Sequence, residues 1–138
     1  MVAEEVKLSA FKFSNDGSLL TLGLNDGSVL LYEYSSDSHS FVDTGREYTA
    51  ELQSKITSIC FSFDKKYAVI GQIKNNFIVW DLYDEFIETE FDGQFVFSVA
   101  CGSNSNYFAV GGGSGSTSKL SLFEVQSETS NFTLVHEF

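Results

Sequence analysis

Apolar and polar residues alternate with a period of two along nearly every ordered-looking stretch of this chain. The runs "VKLSAFKFS", "SVLLYEY", "ITSICFSF" and "FIETEF" follow that alternation, which places successive side chains on opposite faces of an extended backbone. No stretch carries the 3.6-residue period of an amphipathic helix. Turn-forming clusters separate the runs: Asn15-Asp16-Gly17, Asn25-Asp26-Gly27, Asp64-Lys65-Lys66 and Asn75-Asn76. The pattern predicts an all-β chain of many short antiparallel strands.

The alternation also repeats at long range. "FKFSNDGSLLTLGLNDGSVLLYEY", from Phe11 to Tyr34, aligns without a gap on "ICFSFDKKYAVIGQIKNNFIVWDL", from Ile59 to Leu82, at a shift of 48. Phe13-Ser14 falls on Phe61-Ser62, Asp16 on Asp64, Gly23 on Gly71, and Tyr32-Glu33 on Trp80-Asp81. A third copy runs from Val99 to Val125, with Tyr107 on Tyr67 and Gly111 on Gly71 at a shift of 40, and Phe123-Glu124 on Trp80-Asp81 at a shift of 43. The three inserted residues fall in the glycine run. Each repeat divides into four strands, expected at 6–14, 19–24, 29–34 and 41–46, then 56–63, 67–72, 77–82 and 86–91, then 95–102, 107–112, 119–125 and 132–138. Four strands per unit of roughly 40–48 residues is the proportion of a propeller blade. The blades are expected at about 6–48, 54–92 and 94–138 of a single domain.

"NDGSVLLYEY" and "NNFIVWDL" resemble the "DGTVRLWDL" end of WD repeats, and "FSNDGSLLTLG" and "FSFDKKYAVIG" resemble the family's "FSPDGKYLATG". The resemblance covers nearly the whole chain. It implies a partial β-propeller of three blades and a non-enzymatic protein–protein interaction scaffold, as a segment or subunit of a larger intracellular assembly. The Gly-His pair of the family's buried hydrogen-bond chain is missing, since His39 and His136 fall in or beside outer strands, and Trp80 is the single tryptophan. Packing between blades is therefore expected to rest on aromatic contacts. Propellers close with about four to eight blades. Three blades that begin on an innermost strand and end on an outermost one are expected either to be a segment of a longer protein or to be completed by a partner subunit or a second copy.

The stretch "AVGGGSGSTSKLSLFEV", from Ala109 to Val125, carries glycines, hydroxyls and a lysine in the manner of a phosphate-binding loop. A P-loop needs Gly before its Lys, Ser or Thr after it, and a helix next. Here Ser118 precedes Lys119, Leu120 follows, and "LSLFEV" alternates like a strand. The run aligns instead with the turns "LNDGS" and "QIKNN", and is expected to be the same hairpin lengthened at 112–118. Some endoplasmic-reticulum propellers that catalyse nucleotide exchange on small GTPases carry a similar glycine-rich loop before a Lys-Leu strand. That resemblance supplies the alternative function.

Composition narrows the partners. A formal net charge of −11 repels phosphate backbones and anionic membranes, so no direct nucleic-acid or membrane binding is expected. The N-terminal residues show no signal-peptide pattern, the Asn131-Phe132-Thr133 sequon is expected to carry no sugar, and the expected location is the cytoplasm or nucleus. Cys60 and Cys101 lie in apolar strand-like runs and are expected as buried free thiols. The acidic run Asp81, Asp84, Glu85, Glu88, Glu90 and Asp92 reads as a solvated outer strand that blocks edge pairing. Ser9, Ser58 and Ser98 fall on innermost strands without an activating base. No metal, cofactor or catalytic set assembles from the pattern. The candidate partner-binding residues are those that the topology gathers at one end of the blades, in the turns between second and third strands and in the lead-ins to innermost strands: Asn25, Asp26, Lys55, Lys74, Asn75, Gln94, Phe95 and Ser114.

Overall fold

The computed structural model describes residues 5–48, 54–74, 76–82, 86–91, 94–126 and 131–138. Strands β1 (Leu8–Phe13), β2 (Leu19–Leu24), β3 (Val29–Ser35) and β4 (Ser40–Tyr48) form the first sheet in chain order. The second sheet holds β5 (Ile56–Phe61), β6 (Tyr67–Gln72), β7 (Asn76–Asp81) and β8 (Phe86–Glu90). The third holds β9 (Phe95–Cys101), β10 (Tyr107–Ser114), β11 (Thr117–Val125) and β12 (Phe132–Glu137). All pairings are antiparallel, and the described residues contain no helix.

The alternation decides how the sheets stack. Along β6, Ala68 and Ile70 join Leu19, Val29, Leu31, Ile78 and Trp80 in a core between the first and second sheets. Tyr67 and Val69, one residue out of phase, join Phe77, Val79, Phe108, Val110 and Phe123 in a second core against the third sheet. All six residues of β6 are buried, as a strand covered on both faces must be. Aromatic rings fill the second core, as expected of a chain lacking the Gly-His network. Phe77 is surrounded by Phe91, Phe108, Phe123 and Phe132 at centroid distances of 5.2 to 6.3 Å. In the first core Trp80 stacks on Phe86 at 5.1 Å, and Tyr48 reaches the same ring at 4.6 Å.

The turns after β1 and β5 are two copies of one device. The hydroxyl of Ser14 donates to Asp16 at 2.8 Å and accepts the Leu19 N–H at 3.0 Å; Ser62 does the same with Asp64 and the Tyr67 N–H at the same distances. Gly17 and Lys65, equivalent at the shift of 48, both hold a positive φ. In the third sheet Gly102 replaces the serine, and the Ser105 hydroxyl occupies the space where a Cβ at Gly102 would lie.

The expectation of free thiols is overturned. Cys60 and Cys101 form a disulfide, with Cα atoms 5.7 Å apart. Cys60 faces the third sheet along with Val69, and Cys101 on β9 faces back, so the core between the two sheets brings the sulfurs together. A strand pattern gives the side on which a cysteine lies but not what stands across from it. Polar contacts reinforce this seam. The Thr57 hydroxyl donates to the Val96 carbonyl at 3.0 Å, and the Ser58 hydroxyl accepts the Val99 N–H at 3.2 Å. Between the first two sheets, Lys65 pairs with Asp16 at 2.7 Å and Arg46 donates to the Leu82 carbonyl.

Candidate interaction surface

Strand direction places three hairpins and three lead-ins at one end of the sheets, and each hairpin is tied to its own lead-in. In the first sheet Asn25 closes the link twice: its side-chain oxygen accepts the Lys7 N–H and its own N–H donates to the Lys7 carbonyl, both at 2.9 Å. Asp26 caps the same turn by accepting the Ser28 N–H at 2.9 Å, and Gly27 supplies the positive φ. In the second sheet the Ile73 N–H donates to the Lys55 carbonyl at 3.0 Å, and the Lys74 N–H to the Ser54 hydroxyl at 3.1 Å. In the third, the Thr117 hydroxyl donates to the Gln94 side chain at 3.2 Å. Backbone and side-chain hydrogen bonds therefore hold the loops, with Asn25, Lys55, Lys74, Phe95 and Ser114 exposed and Asp26 and Gln94 half-buried. The structure brings these residues together sheet by sheet: Asn25 with Asp26, Lys55 with Lys74, and Gln94 and Phe95 with Ser114. Asn75 lies outside the described residues, as do Asp84, Glu85 and Asp92 of the acidic run.

The glycine run is shorter as a turn than expected. β10 and β11 pair continuously from Tyr107 with Glu124 to Ser114 with Thr117, so only Gly115 and Ser116 turn. The three extra residues lengthen the strands. Gly112 is needed for this because a Cβ there would fall on the Phe95 carbonyl oxygen. No helix follows: Lys119 lies within β11, with its ammonium 3.1 Å from Glu137 and 4.9 Å from the centre of the Phe91 ring. The lysine that suggested a phosphate ligand joins the second and third sheets instead.

On the inner side, β1, β5 and β9 border a groove of about 630 Å³ whose lining includes Ser9, Lys12, Asn15, Thr57, Ser58 and Cys101. Ser9 donates to the Gly23 carbonyl at 3.2 Å, and Ser58 bridges to Val99 as above. These hydroxyls serve the sheets. The inter-sheet role of Thr57 was not read from sequence. Its signal was a Thr-Ser pair next to the apolar start of an innermost strand. His39 and His136 are both exposed, His39 at a positive-φ turn position and His136 against the Phe138 ring. Among the described residues no group of three metal-ligating side chains forms.

No family model matches the sequence. No curated protein matches it either. Solved structures do match. The β-propeller domain of Cps50 (Swd1) from Myceliophteria thermophila has a TM-score of 0.65 at 18% identity, over 93% of this chain and 39% of that one. The C-terminal WD40 domain of Sif2 has a TM-score of 0.70 at 13% identity, over 96% of this chain and 34% of that one. A candidate 6-phosphogluconolactonase from Bacteroides uniformis has a TM-score of 0.72 at 15% identity, over 96% and 41%. The three sheets thus have the fold of β-propeller blades. This chain spans less than half the length of each of these structures. At such identities the likeness is one of fold, and it is shared by structures of different description.

Proposed function

We propose that the chain is a non-enzymatic scaffold for protein–protein interaction, working as a segment or subunit of a larger intracellular assembly. Its partners would be proteins, engaged through Asn25, Asp26, Lys55, Lys74, Asn75, Gln94, Phe95 and Ser114. The observation that carries this reading is the repeated tie between hairpin and lead-in. Loops held in place by these ties lose little entropy on binding, while the side chains of Lys55, Lys74, Phe95 and Ser114 stand exposed. The described residues contain no helix long and apolar enough to cross a membrane. The paired glycine strand leaves only a two-residue tip, so it lends nothing to the nucleotide-exchange alternative.

The test is affinity capture from native extract with the wild-type chain beside a Lys55→Glu, Lys74→Glu, Phe95→Ala variant that retains its circular dichroism. Partners held by the wild type and lost by the variant support the reading. Identical capture by both would overturn the assignment of the surface.

A further inference from the structure

We propose that Cys101 is a site of reversible S-thiolation, reached by a low-molecular-weight thiol from the groove that β1, β5 and β9 border, with Cys60 as the thiol that resolves the adduct. The inference is independent of the scaffold reading, since it is read out at sulfur and not in captured partners.

The two halves of the disulfide have unequal surroundings. Cys60 is 5% exposed and belongs to the core between the second and third sheets, with Tyr67, Val69 and Val99 among its members. Cys101 packs at the margin of that core and is half-buried. Both stand on innermost strands and both line the groove of about 630 Å³. A thiolate exchanges only with a sulfur it can reach. Cys101 is therefore the sulfur that takes the incoming thiol.

Charge favours the same approach. The chain carries a net charge of −11, yet among the described residues lining this groove Lys12 is the one charged side chain. Lys12 holds in β1 the place that Cys60 holds in β5, at the shift of 48, and it is exposed. A thiol that also carries carboxylates, such as glutathione, is repelled by the molecule as a whole and drawn toward this opening.

The exchange balances at sulfur. The incoming thiolate bonds to Cys101 Sγ as the Cys60–Cys101 bond breaks, and Cys60 leaves as a thiolate that takes up the proton the incoming thiol released. Burial disfavours a charge on Cys60, and a thiolate so placed is strongly nucleophilic. It attacks Cys101 Sγ in turn, restores the crosslink and expels the small thiol. Full reduction needs a second small thiol, which attacks the first one's sulfur and leaves two protein thiols and one small-molecule disulfide. The seam keeps its register throughout, because the bonds from Thr57 to Val96 and between Ser58 and Val99 hold the hairpin half of β5 against β9. Cys60 thus stays across from Cys101. One accessible sulfur beside one sheltered sulfur is the arrangement of a redox-sensing cysteine with its resolving partner.

Trapping tests the assignment. The folded wild-type chain is treated with reduced glutathione, quenched at intervals with N-ethylmaleimide and mapped by peptide mass spectrometry. The trapped intermediates are expected to carry glutathione on Cys101 and maleimide on Cys60. With oxidised glutathione, Cys60→Ser is expected to hold a lasting adduct on Cys101, and Cys101→Ser to be modified on Cys60 about tenfold more slowly. Adding Lys12→Gln to Cys60→Ser is expected to slow the glutathione reaction roughly twofold at low salt and to leave the reaction with uncharged hydroxyethyl disulfide unchanged. Glutathione trapped on Cys60, equal rates at the two cysteines, or no exchange until urea unfolds the chain would each overturn the proposal. Equal slowing with the uncharged disulfide would remove Lys12 from it.

Discussion

The first and second sheets carry aligned sequences and meet different fates. β6 reads "YAVIGQ" and is buried at all six positions; β2 reads "LLTLGL" and is buried at every other one. Yet the outward residues of β2, Leu20, Leu22 and Leu24, are as apolar as the inward ones. A strand with one wet face normally alternates apolar with polar, whereas one covered on both sides reads as a continuous apolar run. β2 has the sequence of a covered strand and the surroundings of an end strand. Composition records the environment a blade is built for, and the neighbours decide whether it is met.

The seams also differ, and the largest expected effect lies there. The second and third sheets are joined covalently across a sequence separation of 41, while the first and second are held by packing, the Lys65–Asp16 pair and Arg46. A crosslink over a loop of that length is worth about 4 kcal/mol on the chain-entropy estimate. Dithiothreitol, or the Cys60→Ser, Cys101→Ser variant, is expected to lower the urea midpoint accordingly. An unchanged midpoint would mean that the thiols are not joined in solution. In a reducing compartment the pair would stand as neighbouring thiols, and the stability without the bond is then the relevant one.

Next comes the direct comparison of equivalent side chains. Ile70→Ala leaves a cavity in a fully buried site and is expected to cost about 3 kcal/mol. Leu22→Ala, the equivalent truncation 48 residues earlier, removes a half-buried side chain and is expected to cost under about 1 kcal/mol. If both cost the same, the outer face of the first sheet is covered in solution and the contrast fails.

Tyr67 offers a smaller contrast with Leu19, its equivalent. Its hydroxyl is buried without a hydrogen-bond partner, and that burial, with the Asp64 charge adding to it, pushes its pKa up to about 12. The first sheet solved the same position with a leucine. Tyr67→Phe keeps the ring in its edge contact with Phe108 and relieves the stranded oxygen, so it is expected to stabilise by about 1 kcal/mol in thermal melts. Destabilisation would show that the hydroxyl has a partner in solution.

These contrasts also explain what was legible in the sequence. Period-two runs bounded by Asn-Asp-Gly and Asp-Lys-Lys located the strands within a few residues, because strand faces and tight turns are local properties. The recurrence at 48 grouped them, because one blade cannot bury its faces alone. What failed depended on contacts across a seam. Nothing near Cys60 in the chain shows that Cys101 faces it. The glycine run read as a turn because glycine is a poor strand former, but close approach to the Phe95 carbonyl makes Gly112 the residue that lets β10 continue. At the candidate surface, the turn chemistry of Asn25 and Asp26 was readable. The ties from Asn25 to Lys7 and from Thr117 to Gln94 join segments 18 and 23 residues apart and required the fold.

The smallest effect is at the far end of the first two blades, where their otherwise duplicated turns differ in one respect. Asp16 faces Lys65, whereas Lys65's own equivalent in the first turn is Gly17, so the pairing runs across the seam and in one direction only. The Lys65 ammonium, helped by the Ser18 N–H and the Ser18 and Ser14 hydroxyls, holds the Asp16 carboxyl well below its ordinary 3.8. A carboxyl lowered by folding adds stability that is fully present above its unfolded pKa and fades as pH falls from there toward the folded value. Both partners are well exposed, so the gain is about 0.5 kcal/mol. Asp16→Asn keeps the acceptor for the turn and removes the charge. It is expected to lower the urea midpoint slightly at pH 7 and to differ from the wild type less at about pH 3, below the unfolded carboxyl's range. A variant equally stable at both pH values would show that the turn, and not the charge across the seam, is what Asp16 serves.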